Sequence, residues 1–245
     1  MKKISVFCAF LLALLMVAGL TGCGEGKQQQ NQNNAETENE SAPAETATPV
    51  ASAPEETAQP ASQDPAQSTG SKTLVLYFSR TGEQYTVGVI EKGNTAIVAE
   101  MIAEKTGADS FEILPADDHY PMTYSELTDV AKREQNENAR PAYAGTLPDL
   151  SQYDTIFIGA PVWWGDWPMI MYTVFENNDF SGKRLVPFST HEGSGLSGFD
   201  KKLAAACPDS EISEGLAVRG NDAQNKQDDV RAAVNDWLTG LKYAS

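Results

Sequence analysis

Cysteine is scarce: the 245 residues contain three, Cys8, Cys23 and Cys207. Two of them fall in or at the end of an apolar leader, which leaves Cys207 for a folded domain. No intradomain disulfide framework can form, and no cysteine cluster has metal-ligand spacing. Cys207 stands beside Pro208 with no motif around it, which suits a half-buried helix-end residue better than a nucleophile. Basic residues are also short. Eighteen Lys and Arg face 34 Asp and Glu, for a formal net charge of −16. That balance argues against nucleic acid and bare anionic membrane as partners, and it is equally the charge of a soluble secreted protein. Histidine occurs twice, at His119 and His191. Nothing groups Asp117, Asp118 and His119 as a metal site, and no metal is assigned.

A membrane-spanning apolar run is missing too, but a shorter one opens the chain. Lys2 and Lys3 precede an almost wholly apolar stretch from Ile4 to Ala18. It is short for a membrane span and suits the core of a signal peptide. Leu20-Thr21-Gly22-Cys23 then resembles the bacterial lipobox, which implies cleavage before Cys23 and a diacylglycerol on its thiol. Two acyl chains anchor a protein stably where one does not. From Gly24 to Gly70 aromatics are absent and Val50 is the only large aliphatic residue. Such a segment cannot bury enough apolar surface to offset its ordering entropy and is expected to be disordered. Its r.m.s. span would be on the order of 40 Å. The expected organisation is a signal peptide over 1–22, a lipidated linker over 23–70 and a folded domain over 71–245. The expected location is the extracytoplasmic face of the cell membrane, with the bilayer a partner only through acylated Cys23.

The folded part alternates strand and helix. Thr73 to Phe78 is a continuous apolar run, as a strand covered on both faces requires. Ile97, Val98, Met101 and Ile102 share a helical face between Asn94 and Lys105, and Gly107 follows as a helix stop. Strands are expected at Phe111–Leu114, Thr155–Ile158, Arg184–Thr190 and Leu216–Val218. Helices are expected at Tyr124–Arg140, Trp167–Phe175 and Leu196–Ala206. The last helix is the clearest, with Val230, Val234, Trp237, Leu238 and Leu241 on one stripe. Five β-α units in a row imply an open parallel sheet with helices on both faces. Pro187 fits poorly inside its strand, where a ladder hydrogen bond would be lost, so a bulge or strand start is expected there.

Ligand chemistry in such a sheet collects beyond the carboxyl ends of the strands. Three loops there are informative. The first is Ser79-Arg80-Thr81-Gly82, with Asn94-Thr95 opening a helix eleven residues later. Hydroxyls, a glycine and a helix N-terminus make a cradle for a phosphate, although they also suit an ordinary capped turn. The second, Pro161-Val162-Trp163-Trp164-Gly165, belongs to a stretch with three tryptophans in five residues. A flat ring stacked on Trp163 or Trp164 would explain them, with Trp167 packed as the helix entry; all three in the core is the alternative. The third, Thr190-His191-Glu192-Gly193-Ser194-Gly195, has glycines that allow close backbone approach to a ligand.

Together these loops resemble those of the flavodoxin-like superfamily. In that family a Ser/Thr-x-Thr-Gly-Asn-Thr run binds phosphate, the second loop supplies an aromatic to the isoalloxazine ring, and the third hydrogen-bonds the flavin pyrimidine. The resemblance covers roughly Lys72 to Lys242. It implies a doubly wound α/β three-layer sandwich, a five-stranded parallel sheet of order 2-1-3-4-5, and FMN as cofactor. Two departures stand out. Glu83 to Gly93 is inserted before Asn94, and the alternation of Tyr85, Val87 and Val89 suggests a hairpin flap beside the phosphate. No tyrosine stands between Thr190 and Gly198, where electron-transfer flavodoxins often place one over the flavin. An open flavin face favours reduction of a small acceptor, with His191 a weak candidate proton donor beside the alternative of a structural or merely exposed histidine. A non-catalytic tethered electron carrier docking to redox proteins, and a scaffold without cofactor, are the alternatives. The electron donor and acceptor are not identified by sequence.

Overall fold

The computed structural model describes residues 72–243. The leader, Cys23 and the linker expected over 1–70 lie outside the described residues. The elements are β1 (Lys72–Phe78), β2 (Gly82–Gln84), β3 (Gly88–Ile90), α1 (Asn94–Thr106), β4 (Asp109–Ile113), α2 (Tyr124–Glu137), β5 (Tyr153–Pro161), α3 (Met169–Asn177), β6 (Arg184–His191), α4 (Phe199–Ala206), β7 (Glu211–Ile212), β8 (Leu216–Arg219), α5 (Gly220–Asn225) and α6 (Gln227–Gly240).

The main sheet runs β4-β1-β5-β6, with the fifth position shared between β7 and β8, and every pairing in it is parallel. Leaving out the β2–β3 hairpin, this is the order 2-1-3-4-5. Successive residues of a strand point to opposite faces, and β1 shows the consequence. Leu74, Leu76 and Phe78 enter one core with α2, α3 and α4, while Val75 and Tyr77 enter another with α1 and α6. Both faces of the sheet are therefore dry, as the continuous apolar strands demand.

Pro187 does not interrupt β6. That strand pairs with β5 from Arg184 to Thr190, Pro187 opposite Ile158. The interruption falls on the neighbour instead. β7 pairs with Arg184 and Leu185, β8 pairs with Phe188 to His191, and residues 213–215 lie between. In parallel strands alternate residues address the same neighbour. Leu185 accepts from the Ser213 N–H at 2.9 Å, so Pro187 faces that side as well, and its missing N–H meets the gap. The bulge or strand start expected at Pro187 is therefore absent, and the break lies in the neighbouring strand instead.

Gly159 in the middle of β5 is required by packing. A Cβ there would lie 2.0 Å from Phe188 Cζ, and Phe188 is fully buried. Gly159→Ala is expected to destabilise the fold by about 3 kcal/mol through overpacking, lowering Tm by roughly 10 °C. A thermal melt checks this. Cys207 caps the C-terminus of α4. Burial pushes its thiol up to about 11, which leaves it protonated and unreactive at neutral pH.

Candidate functional site

Three loops meet at the carboxyl end of the sheet. At the first, Gly93 caps α1 but offers no side chain to its free N–H groups. The cap comes from the end of β1: Ser79 Oγ accepts from the Ala96 N–H at 3.0 Å. The N–H groups of Asn94 and Thr95 have no acceptor among the described residues, so the N-terminus of α1 keeps donors for an anion. Gly93 is what permits this approach. A Cβ on it would lie 2.1 Å from Ser79 Oγ and 2.7 Å from the Arg80 carbonyl oxygen. Behind the cradle, the Thr95 and Thr190 hydroxyls hydrogen-bond each other at 2.7 Å, tying the first loop to the third.

The second loop is a tight turn. Trp163 and Asp166 exchange two backbone hydrogen bonds of 2.9 Å, and both central residues have positive φ, 51° at Trp164 and 73° at Gly165. This is the signature of a primed turn, in which glycine is unstrained and tryptophan is not. Tertiary contacts hold it. Lys202 of α4 donates to the Gly165 carbonyl and pairs with Asp166 at 3.1 Å. The two indoles diverge. Trp163 packs edge-on against Phe78 and Tyr120, with centroids 5.5 and 5.2 Å away. Trp164 lies out over α2, its Nε1–H donating to the Thr128 carbonyl at 2.9 Å. Trp167 is core, stacked on Phe199 at 3.6 Å.

The third loop closes the site. His191 Nδ1 accepts from the Gly193 N–H at 2.9 Å, which leaves the proton of the neutral ring on Nε2. Burial pushes the His191 pKa down, Glu192 opposes that and Arg219 adds to it, so the ring is neutral at pH 7. Glu192 Oε1 accepts from the Asn221 N–H at 2.7 Å. Among the described residues its buried Oε2 has no hydrogen-bond partner, with Arg219 3.6 Å away.

A cavity of about 470 Å³ joins these parts. Of the residues expected from sequence, Asn94, Pro161, Val162, Trp163, Trp164, Thr190, His191, Glu192 and Ser194 line it. Ser79 and Thr95 brace the cradle behind that wall, and Thr81 and Gly82 lead into the hairpin. Gly165, Gly193 and Gly195 supply positive-φ turns rather than wall. The Arg80 side chain turns away from the cavity. Its guanidinium binds Asp118 at 2.9 Å and the Tyr120 carbonyl at 2.6 Å, and lies 5.4 Å from the Tyr120 ring. It braces the loop before α2 and is not part of the cavity wall.

Sequence reasoning missed the opposite wall, formed by Gln84 and Tyr85 of the insertion and by Tyr124, Leu127, Thr128 and Ala131 of α2. The insertion is a hairpin, β2–β3, but only Val89 of the alternating trio lies in a strand. It is pinned to the start of α2. The Glu83 N–H donates to the Met122 carbonyl at 2.8 Å, and its carboxylate accepts from the Tyr124 N–H at 2.9 Å.

A second unforeseen feature lies beneath Trp163. Both ring nitrogens of His119 face acceptors at 2.8 Å, the Asp117 carbonyl and the Glu134 carboxylate. Glu134 is buried and also accepts from the Tyr120 hydroxyl at 3.1 Å. A proton on each ring nitrogen would satisfy both acceptors, so the pair favours the imidazolium. Burial lowers its pKa, but the bonds and charges of Glu134 and Asp117 outweigh this, and the net direction is up from 6.5. A raised folded pKa stabilises the fold fully below about 6.5, and that stabilisation is lost as pH rises through the higher folded value. The His119→Gln variant should therefore be less stable than the parent at pH 6, the gap closing in alkali. Because the ring is partly exposed the gap should stay below about 1 kcal/mol. Urea titrations at several pH values measure it.

Comparison with known proteins follows the same lines. A sequence model of the flavodoxin family matches residues 72–237. No curated protein matches the chain. A crystal structure described as a flavoprotein from Bacteroides uniformis is 31% identical, with a TM-score of 0.55, covering 69% of this chain and 99% of its own. One from Bacteroides eggerthii is 30% identical, with a TM-score of 0.55, covering 71% and 99%. A flavoprotein of Lactobacillus acidophilus, crystallised in complex with FMN, is 21% identical, with a TM-score of 0.50 and coverage of 65% and 99%. At that identity the likeness is one of fold.

Proposed function

We propose, from the premise that this chain belongs to the flavodoxin family, that it binds FMN and transfers electrons to a small acceptor outside the cytoplasmic membrane. The single observation that carries this reading is the convergence of an anion cradle and an aromatic cavity at one end of the sheet. The residues fit the group on three counts. Gly93 lets the turn after β1 pack directly on the start of α1, and among the described residues the first N–H groups of α1 are left for a phosphate. The buried Glu192 Oε2 awaits a donor, such as a hydroxyl or N–H of the ligand. Trp163, packed on Phe78 at the end of β1, lines a cavity with room for a flavin ring.

When bound, FMN supplies reversible one- and two-electron exchange. The chain would hold the phosphate at Asn94 and Thr95, and offer the His191 Nε2–H as a donor at the cavity wall. A neutral His191 donates a hydrogen bond without adding a charge. Reduction of a small acceptor is favoured over docking to a carrier protein because the third loop offers no aromatic cover over a bound ring. The location rests on the leader and on Leu20-Thr21-Gly22-Cys23. Replacing Cys23 by Ala should then release the protein from the membrane fraction.

The test of cofactor binding is an FMN titration of the purified, ligand-free full chain, followed by flavin fluorescence. One-to-one binding with strong quenching, and much weaker binding of riboflavin, is the expected result. No binding at micromolar FMN would sink the redox reading.

A further inference from the structure

We propose that the outer half of the cavity, between the hairpin and α2, is the acceptor's subsite and selects an uncharged planar aromatic molecule. The inference rests on the FMN reading above and names the substrate class of the same site. It starts from a division of the lining. Asn94, Thr190, His191, Glu192 and Ser194 make one half polar and adjoin the cradle, whereas on the hairpin and α2 side Tyr85, Tyr124, Leu127, Ala131 and Trp164 predominate, with Gln84 and Thr128 the polar side chains among them. The phosphate, ribityl chain and pyrimidine edge of FMN all require the polar half.

The apolar half is built from three elements, and its rings are exposed. Tyr85 is 56% exposed, Trp164 53% and Tyr124 36%. They are nevertheless fixed in place. Tyr85 stacks on Tyr124 with centroids 5.4 Å apart and planes 29° apart. Trp164 is hydrogen-bonded to Thr128, and Lys132 Nζ lies 5.0 Å from the centre of its ring. Rings already ordered lose little entropy on binding, and a flat aromatic partner gains stacking as well as burial.

Charge selects against anions. Among the described residues no Lys or Arg lines the cavity, and Glu192 contributes a carboxylate. Glu83 places a second carboxylate at the Tyr124 N–H. Arg219, on the polar side, is paired with Glu192 Oε2 at 3.6 Å, and Lys132, beside the outer half, is engaged by the Trp164 ring and by Gln135 Oε1 at 2.9 Å. A nucleotide or another anionic ring system would meet negative potential without a cationic clamp, whereas a neutral quinone-like ring would not.

The experiment is equilibrium dialysis of the oxidised, FMN-loaded full chain against 1,4-naphthoquinone and against 1,4-naphthoquinone-2-sulfonate. The neutral quinone should bind at least tenfold more tightly than its sulfonate. Tyr85→Ala and Tyr124→Ala should each weaken quinone binding about tenfold, by loss of stacking and contact area, and weaken FMN binding several-fold less than that. Equal binding of the two probes would overturn the charge argument. Parallel loss of FMN affinity in the tyrosine variants would assign these rings to the flavin instead, and absence of quinone binding to a chain that holds FMN would overturn the subsite. A chain that takes up no FMN at all fails the parent reading and this one with it, a result the FMN titration alone reveals.

Discussion

The Gly93→Ala variant should bind FMN about 100-fold more weakly than the parent, roughly 3 kcal/mol, while its affinity for riboflavin changes little. The reasoning is steric and local. Gly93 has an ordinary φ of −65°, so alanine imposes no backbone penalty. Its methyl group would instead sit 2.1 Å from Ser79 Oγ and 3.0 Å from the Arg80 nitrogen. Those atoms belong to backbone and to a short buried side chain, neither of which can swing aside. The turn after β1 and the start of α1 must therefore separate. Separation breaks the Ser79–Ala96 cap and re-aims the N–H groups that would face the phosphate. Charge-assisted hydrogen bonds are worth about 1.5–3 kcal/mol each, so misdirecting one or two accounts for the expected loss. Riboflavin, which has no phosphate, is the control. A loss that is equal for both flavins would mean the substitution damages the ring site or the fold, and would overturn the assignment of the cradle. Isothermal titration with the two ligands measures the contrast.

Trp163→Ala should reduce both stability and flavin binding, in contrast to Trp164→Ala. Trp163 is partly buried against the Phe78 and Tyr120 rings and so joins the cavity wall to the core. Large aromatic deletions in cores cost about 3–5 kcal/mol, and partial exposure places this one near 3 kcal/mol. Trp164 is more exposed than not and strains its own backbone at φ 51°. Its truncation should cost the fold under about 1 kcal/mol, since so exposed an indole gives up little burial; the positive-φ penalty stays, because alanine keeps the Cβ. The two variants thus separate scaffold from surface. Denaturant unfolding gives the stabilities, and flavin fluorescence gives the stacking. If Trp163→Ala unfolds at the same urea concentration as the parent, the indole is not part of the core and the description of this wall is wrong.

The fold was legible in the sequence because its strands are dry on both sides. Thr73–Phe78 and Thr155–Ile158 could only be buried strands, and the stripe from Val230 to Leu241 could only be an amphipathic helix. The loops after those strands then located the cradle and the tryptophans. The unread features depend on where distant segments meet. Leu127 and Ala131 sit in a helix that looks polar throughout, and nothing local shows that its apolar edge walls a cavity. His119 and Glu134 are fifteen residues apart on different elements, so their pairing exists only in three dimensions. Arg80 shows a related limit. Its place beside the phosphate loop was legible, but a long side chain can turn either way, and Asp118 and Tyr120 draw it toward the loop before α2.

The break in the fifth strand governs how copies of this chain meet. That strand is an edge of the sheet, and an unpaired edge is a template for the strand of another copy. Here it offers two residues at β7 and four at β8, too little continuous backbone for a neighbour to zip onto. The opposite edge, β4, carries the carboxylates of Asp109 and Glu112, which would repel a like strand. Both margins of the sheet are thus closed to edge-to-edge aggregation, and many copies could be crowded together on one surface and remain separate molecules.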